Sequence, residues 1–232
     1  MKCDKLDVNL TNDDGESVLM VACYDGKIEV VRELLQHNKI DINLATQLGG
    51  TALYSACLLN DVENVDVVCE LLKHPDIDVN VRHVHHGTAL VRAVNLYHCS
   101  IVRELLTHPN IDVNTQEPFG ETPLYMACYN NRAIIVQDIL RKDEVDVNRM
   151  GKHGVTPLHI ASRNGNIRLL RLLLKCGKVD VNKTSEKGET ALALATKDKD
   201  NWDVVRRLAK HPNIDVNVRG RLGYTVLMWA TL

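Results

Sequence analysis

Aromatic side chains are scarce in this chain: one Phe, two Trp and six Tyr among 232 residues. Gly and Pro are few as well, at 13 and 6. A turn-rich all-β sandwich or barrel needs more of all three, so those folds are excluded. The seven cysteines are odd in number, and no two have C-x-x-C spacing. That usage suits free thiols in a reducing compartment and not a disulfide framework. No apolar run approaches the roughly 18 residues of a membrane-spanning helix. The opening Met1-Lys2-Cys3-Asp4-Lys5 has no apolar signal region behind it. A cytoplasmic or nuclear location is therefore expected. Enzyme signatures are missing too: no phosphate-cradling Gly loop, no G-x-S-x-G elbow and no H-E-x-x-H.

What is present is apolar content. The chain is 45% hydrophobic and 25% charged, enough to build a packed core. Its net charge of −2 hides a split. Residues 1–116 hold nine Lys/Arg against seventeen Asp/Glu, a net of −8. Residues 117–232 hold nineteen against thirteen, a net of +6. Such polarity matters if the molecule is elongated.

The string Asp-Val-Asn, or a near copy, recurs along the chain. Its Asn falls at Asn9, Asn43, Asn80, Asn114, Asn148, Asn182 and Asn217, with gaps of 34, 37, 34, 34, 34 and 35. A fixed period in this range signals a repeat array. Ten residues after each Asn stands a Leu: Leu19, Leu53, Leu90, Leu124, Leu158, Leu192 and Leu227. Two residues before each Leu is a hydroxyl: Ser17, Thr51, Thr88, Thr122, Thr156, Thr190 and Thr225. Three residues after it is an Ala, from Ala22 to Ala230. A hydroxyl ahead of an apolar helical pattern is an N-cap, because its oxygen accepts from an otherwise unpaired amide. Pro123 and Pro157 follow their Thr at a first-turn position where Pro costs little. A second helix follows in each repeat, as in Ile101-Val102-Arg103-Glu104-Leu105-Leu106. Apolar residues at i, i+1, i+4 and i+5 make a stripe that stacked helix pairs can bury and one pair cannot.

Helix, turn, helix and a ten-residue β-like loop together resemble the ankyrin repeat. The fullest match is Gly154-Val155-Thr156-Pro157-Leu158-His159-Ile160-Ala161, ending in Val179-Asp180-Val181-Asn182. The resemblance implies an all-α ankyrin-repeat solenoid of stacked helix-turn-helix units with hairpin-like loops. It covers nearly the whole chain as a single array. Complete repeats run 10–43, 44–80, 81–114, 115–148, 149–182 and 183–217. Residues 1–9 read as the tail of a preceding repeat and 218–232 as a partial one. Only His159 fills the family's His position. The turn Gly survives as Gly26 and Gly165, with Tyr97 and Asn131 in its place elsewhere. Repeat 44–80 carries three extra residues between its helices, around Asn60 to Val65, and repeat 183–217 carries one near Asn201. The closing helix, through Leu227-Met228-Trp229-Ala230, lacks a partner helix, which suggests a fragment of a longer array or a covered end. A monomer or such a fragment is expected.

Periodic residues are read as structural. Asp41, Asp78, Asp112, Asp146, Asp180 and Asp215 are expected to tie each loop base to backbone amides. His37, His74, His108 and His211 end the second helices, where an imidazole can bond the last free carbonyls. Cys23, Cys57 and Cys128 share one slot and read as small buried thiols. His83, His85 and His86 lie close enough to suggest a divalent metal, but no fourth ligand is evident and a polar loop tip is the plainer reading. No cofactor or metal is expected.

The family resemblance implies a non-catalytic scaffold that binds a protein partner through loop tips and the adjoining concave helix face. The candidate contact residues are Tyr24, Leu48, Leu58, Leu59, Val84, His85, Leu96, Phe119, Tyr129, Lys152 and Arg163. These slots run from acidic (Asp13, Asp14, Glu16) through apolar to basic, and the apolar ones are expected to form an exposed patch. The alternative is binding of nucleic acid or an anionic lipid by the basic half, through Lys152, Arg163, Lys187, Lys197, Arg219 and Arg221. Aromatic interleaving there is sparse, so nucleic acid is the lesser expectation. The resemblance also implies possible asparagine hydroxylation. Asn80, Asn114, Asn148 and Asn182 carry a Leu eight residues upstream, at Leu72, Leu106, Leu140 and Leu174. Asn43 has Leu35 but Ile42 for Val, and Asn217 has Ala209.

Overall fold

The computed structural model describes residues 7–59, 61–118, 120–219, 223, 225 and 228. It divides into two compact units, 1–115 and 116–232. The expected closing helix lies largely outside the described residues, as does Phe119.

Among the described residues the first unit holds six helices: α1 (Val18–Tyr24), α2 (Ile28–Leu35), α3 (Ala52–Ala56), α4 (Asp61–Leu72), α5 (Ala89–Leu96) and α6 (Cys99–Thr107). First helices of successive repeats pack on one another, α1 on α3 and α3 on α5. Second helices do the same, α2 on α4 and α4 on α6. A short antiparallel pair, β1 (Arg82–His83) and β2 (Gly87–Thr88), forms one loop hairpin, with Arg82 opposite Thr88.

The second unit repeats the plan with α7 (Pro123–Tyr129), α8 (Ala133–Ile139), α9 (Pro157–Arg163), α10 (Ile167–Lys175), α11 (Ala191–Ala195) and α12 (Trp202–Ala209). Here α7 packs on α9 and α9 on α11, while α8 packs on α10 and α10 on α12. The stacked helix-turn-helix architecture expected from the period is therefore present in both units.

The sequence signals act as their chemistry requires. Ser17, Thr51, Thr88, Thr122, Thr156 and Thr190 each accept from the amide three residues on, at 3.2 to 3.4 Å. The Leu and Ala of the period are buried in every described repeat. On α6 all four stripe residues, Ile101, Val102, Leu105 and Leu106, are buried. On α2 only Val31 is. Burial pushes the Cys23 thiol up to about 12, and raises Cys57 and Cys128 as well, so this slot is chemically quiet.

Two inserted stretches are absorbed differently. The three extra residues of repeat 44–80 are helical, and α4 reaches 12 residues. Its Asn64 is buried and donates to the Ala56 carbonyl at the end of α3, at 3.0 Å. The single extra residue of repeat 183–217 makes a one-turn 3-10 helix, Lys199–Asn201. Asn201 is also buried and donates to the carbonyls of Ser162 and Arg163, at 3.4 and 3.2 Å. Both helix ends thus gain a side-chain donor to carbonyls of their last turn.

Candidate partner-binding surface

Loop geometry comes first, because it fixes the surface. Each Asp of the recurring Asp-x-Asn accepts from the amide of its own Asn, at 2.8 to 3.0 Å. That is the expected loop-base role. The Asn does something the period alone does not reveal. In the first unit Asn43 Nδ2 donates to Asp76 O at 2.6 Å, and its Oδ1 accepts from Asp78 N at 2.8 Å. Asn80 makes the same pair of bonds to Asn110 O and Asp112 N. In the second unit Asn148 clamps Lys178 O and Asp180 N, and Asn182 clamps Asn213 O and Asp215 N. Each amide thus fastens its loop to the next one. Asn80, Asn148 and Asn182 are half-buried with both amide atoms in use, so a hydroxylase would meet an engaged side chain.

The histidines that end the second helices differ from expectation. Nδ1 of His37, His74, His108 and His211 accepts from the amide two residues on, at 3.2 to 3.3 Å. The ring closes a turn instead of capping carbonyls.

A second recurring contact links loops to helices. The third helical position of three repeats holds Tyr54, Tyr125 and His159, and each ring reaches the following loop. Tyr54 stacks on His83, with centroids 4.8 Å apart. Tyr125 lies over Gly151, where an added Cβ would stand 2.6 Å from the ring. His159 accepts from Thr156 N through Nδ1 at 3.1 Å, so Nε2 carries the proton and donates to Glu189 O at 2.9 Å. Burial holds the His159 pKa below its usual value, against the opposing effect of carbonyls at Glu189 and Lys183. Sequence reading marked His159 as the sole residue in its family slot; the two tyrosines fill that slot by stacking and by covering a glycine.

In the first unit these contacts frame a groove of about 500 Å³. It is lined by Asp13, Asp14 and Glu16 from the first loop, Thr46, Gln47, Leu48 and Gly50 from the second, and Tyr54, Ser55, Leu58 and His83. Leu48 and Leu58 are therefore brought together, and Leu48 is 48% exposed. Leu59, Val84, Tyr24 and His85 are exposed outside this lining. Leu96 is half-buried, because it closes the last turn of α5. Tyr54, Ser55 and His83 are groove residues that register alone did not select. The three histidines pack ring against ring, with His83 and His86 centroids 4.9 Å apart. Among the described residues no group of three or more His, Cys, Asp or Glu is placed to hold a metal.

The second unit carries a smaller pocket of about 140 Å³. Its lining is His153, Val155, Arg163, Ser185, Lys187, Glu189 and Leu194. Arg163, Lys187 and Lys152 are exposed. Lys197 is ion-paired with Glu189, which spends part of the basic character expected here. Tyr129 is 55% exposed and stacks on Tyr125, centroids 6.4 Å apart. Phe119, Arg221 and Leu222 lie outside the described residues.

Comparison with known proteins agrees with the geometry. A family model described as ankyrin repeats matches residues 3–83, 90–185 and 169–232. The chain is similar to the Escherichia coli K12 protein YahD, at 39% identity over 57 residues. That match spans 25% of this chain and 28% of YahD. The crystal structure of the ankyrin repeat domain of Bcl-3, a member of the IκB family, superposes with a TM-score of 0.82 at 25% identity. The superposition covers 94% of this chain and 95% of that one. Among the described residues no helix is long and apolar enough to cross a membrane.

Proposed function

Because the chain belongs to the ankyrin-repeat family, we propose that it is a non-catalytic scaffold that binds a protein partner through its loop tips and adjoining helix faces. The observation that carries this reading is the first-unit groove. Its lining draws on three successive repeats, at the variable loop-tip and helix-exit positions, while the periodic residues around it are committed to holding the fold. A surface whose loops are fastened by paired amide bonds is ordered before the partner arrives, so binding costs little receptor ordering. The second-unit residues Tyr129, Lys152 and Arg163 offer a further contact area of different chemistry.

The test is affinity capture on the full chain followed by cross-linking mass spectrometry. Cross-links from a captured protein to the loops holding Asp13, Gln47 and Lys152 are expected. Substituting Leu48→Ser together with Tyr129→Ala is expected to weaken capture at least tenfold. Partner cross-links confined to the second helices of the repeats, with capture unchanged by those substitutions, would overturn the reading.

A further inference from the structure

The first-unit groove has unspent charge. Asp13, Asp14 and Glu16 are exposed, and among the described residues none is ion-paired. Their loop is nevertheless well fixed. Asn12 Oδ1 accepts from the amides of Asp14 and Glu16, at 3.1 and 2.8 Å, and Asn12 Nδ2 donates to Glu16 Oε2 at 3.1 Å. The cleft at the ends of α2 and α4 shows the contrast. There Glu70 stands between Arg32 and Lys73, at 3.6 and 2.9 Å. That carboxylate has its counter-charge in the fold; the three in the groove do not. Like charges crowded within four residues repel, and a cation entering the groove relieves the repulsion.

The remaining lining narrows the kind of cation. Leu48 and Leu58 add aliphatic surface, and Tyr54 adds an aromatic edge. Burial and the neighbouring His86, His85 and Arg92 hold the His83 pKa below its usual value, which works against a positive charge there. A small inorganic cation uses none of the apolar lining. A Lys or Arg side chain uses both parts, its methylene stem on the leucines and its charged head at the carboxylates. The groove's volume falls in the range of pockets that hold a drug-sized ligand, roughly 300–1,000 Å³, which leaves room for such a side chain.

We propose that the first-unit groove recognises a partner segment that presents a Lys or Arg beside an apolar residue. This rests on the scaffold reading above and names the chemistry of its partner.

The test pans a phage-displayed random dodecapeptide library on the full chain, and measures synthetic copies of the enriched peptides by fluorescence anisotropy. Enrichment of Lys or Arg next to Leu, Ile, Val or Phe is expected. The combined Asp13→Asn, Asp14→Asn and Glu16→Gln protein should bind those peptides at least tenfold more weakly. Leu48→Ser, which leaves the loop's own hydrogen bonds intact, should weaken them about threefold or more. Enriched peptides without basic residues, or binding indifferent to both variants, would overturn the proposal. Acidic peptides that depend on Arg163 and Lys187 would also overturn it, while leaving the scaffold reading in place. A library that yields no binder at all would sink both.

Discussion

The two units share one scaffold and differ in what they display on it. Both cap their first helices with a hydroxyl and both clamp loop to loop with an Asn amide. Yet one presents a groove of about 500 Å³ bordered by unpaired carboxylates, and the other a pocket of about 140 Å³ lined by Arg163, Lys187 and His153. The difference comes from a handful of variable positions. Position 54 holds a Tyr that stacks on His83, and its equivalent 159 holds a His bonded to a carbonyl. The second pocket is further tied down by the Lys197–Glu189 pair. A repeat fold can thus change binding chemistry without disturbing the residues that stabilise it.

The largest expected effect tests the tie that Asn201 makes in the second unit. Gly165 sits at φ +64°, and an added Cβ would meet Asn201 Oδ1 at 2.0 Å. Gly165→Ala must adopt an unfavourable backbone and also expel Asn201 from the carbonyls of Ser162 and Arg163. The two costs together are roughly 3 kcal/mol. Gly177, at φ +71° with no atom within 4 Å of an added Cβ, isolates the backbone part. Gly177→Ala should cost about 1 kcal/mol. Equal urea midpoints for the two variants would remove the role given to Asn201.

Next comes a test of the shared scaffold. Asn80→Ala and Asn148→Ala each delete a donor and an acceptor that join successive loops. Each should lower stability by about 2 kcal/mol, from two lost hydrogen bonds at ~1 kcal/mol apiece. The two losses should agree within about 0.5 kcal/mol, a difference readable by urea denaturation. A large disparity would break the claim that the units are built alike.

These two predictions mark where sequence reading reached and where it stopped. The helix starts, the buried Leu and Ala and the left-handed turns all follow from local rules, so seven copies in register made them legible. Residues whose role is a contact one repeat away were not. Asn43 and Asn80 stood only as markers of the period and as hydroxylation candidates, because hydrogen bonds spanning 30 to 35 residues leave no local signature. Tyr54 and Tyr125 read as losses of the family His, since substitution of one bridging contact for another shows only in three dimensions. At the groove, register marked Asp13, Asp14, Glu16, Leu48 and Leu58 as surface slots, and did not mark Tyr54, Ser55 and His83. An aromatic at the third helical position, opposite a His or Gly about 27 residues on, was the available signal.

A smaller effect separates the two imidazoles that carry loop contacts. His159 is 1% exposed, and its folded pKa lies below the 6.5 of the free group. The native state therefore favours the neutral ring. Its contribution is complete above about pH 6.5 and is lost as pH falls from there through the depressed native value. His159→Gln should flatten the decline in stability between pH 7.5 and 5.5, seen as a smaller change in urea midpoint than in the wild type. His83 is shifted in the same direction but is more open to solvent, so His83→Gln should flatten it less. A wild-type slope matched by the His159→Gln protein would remove the assignment.

The smallest effect concerns the turn between paired helices. Tyr97 ends α5 at φ 65°, and Asn131 follows α7 at φ 58°. Both occupy the left-handed region, which a bulky side chain enters at a cost and an Asn enters with little. Tyr97 is 39% exposed, so partial burial of its ring offsets only some of that cost. Tyr97→Asn should therefore raise the stability of the first unit by roughly 0.5 kcal/mol, given the ~1 kcal/mol scale of left-handed strain. Asn131→Tyr should lower the second unit by a similar amount. Thermal unfolding of the pair reads the signs directly. Loss of stability in both variants would mean that Tyr97's own contacts outweigh its backbone strain, and that the two turns are not equivalent.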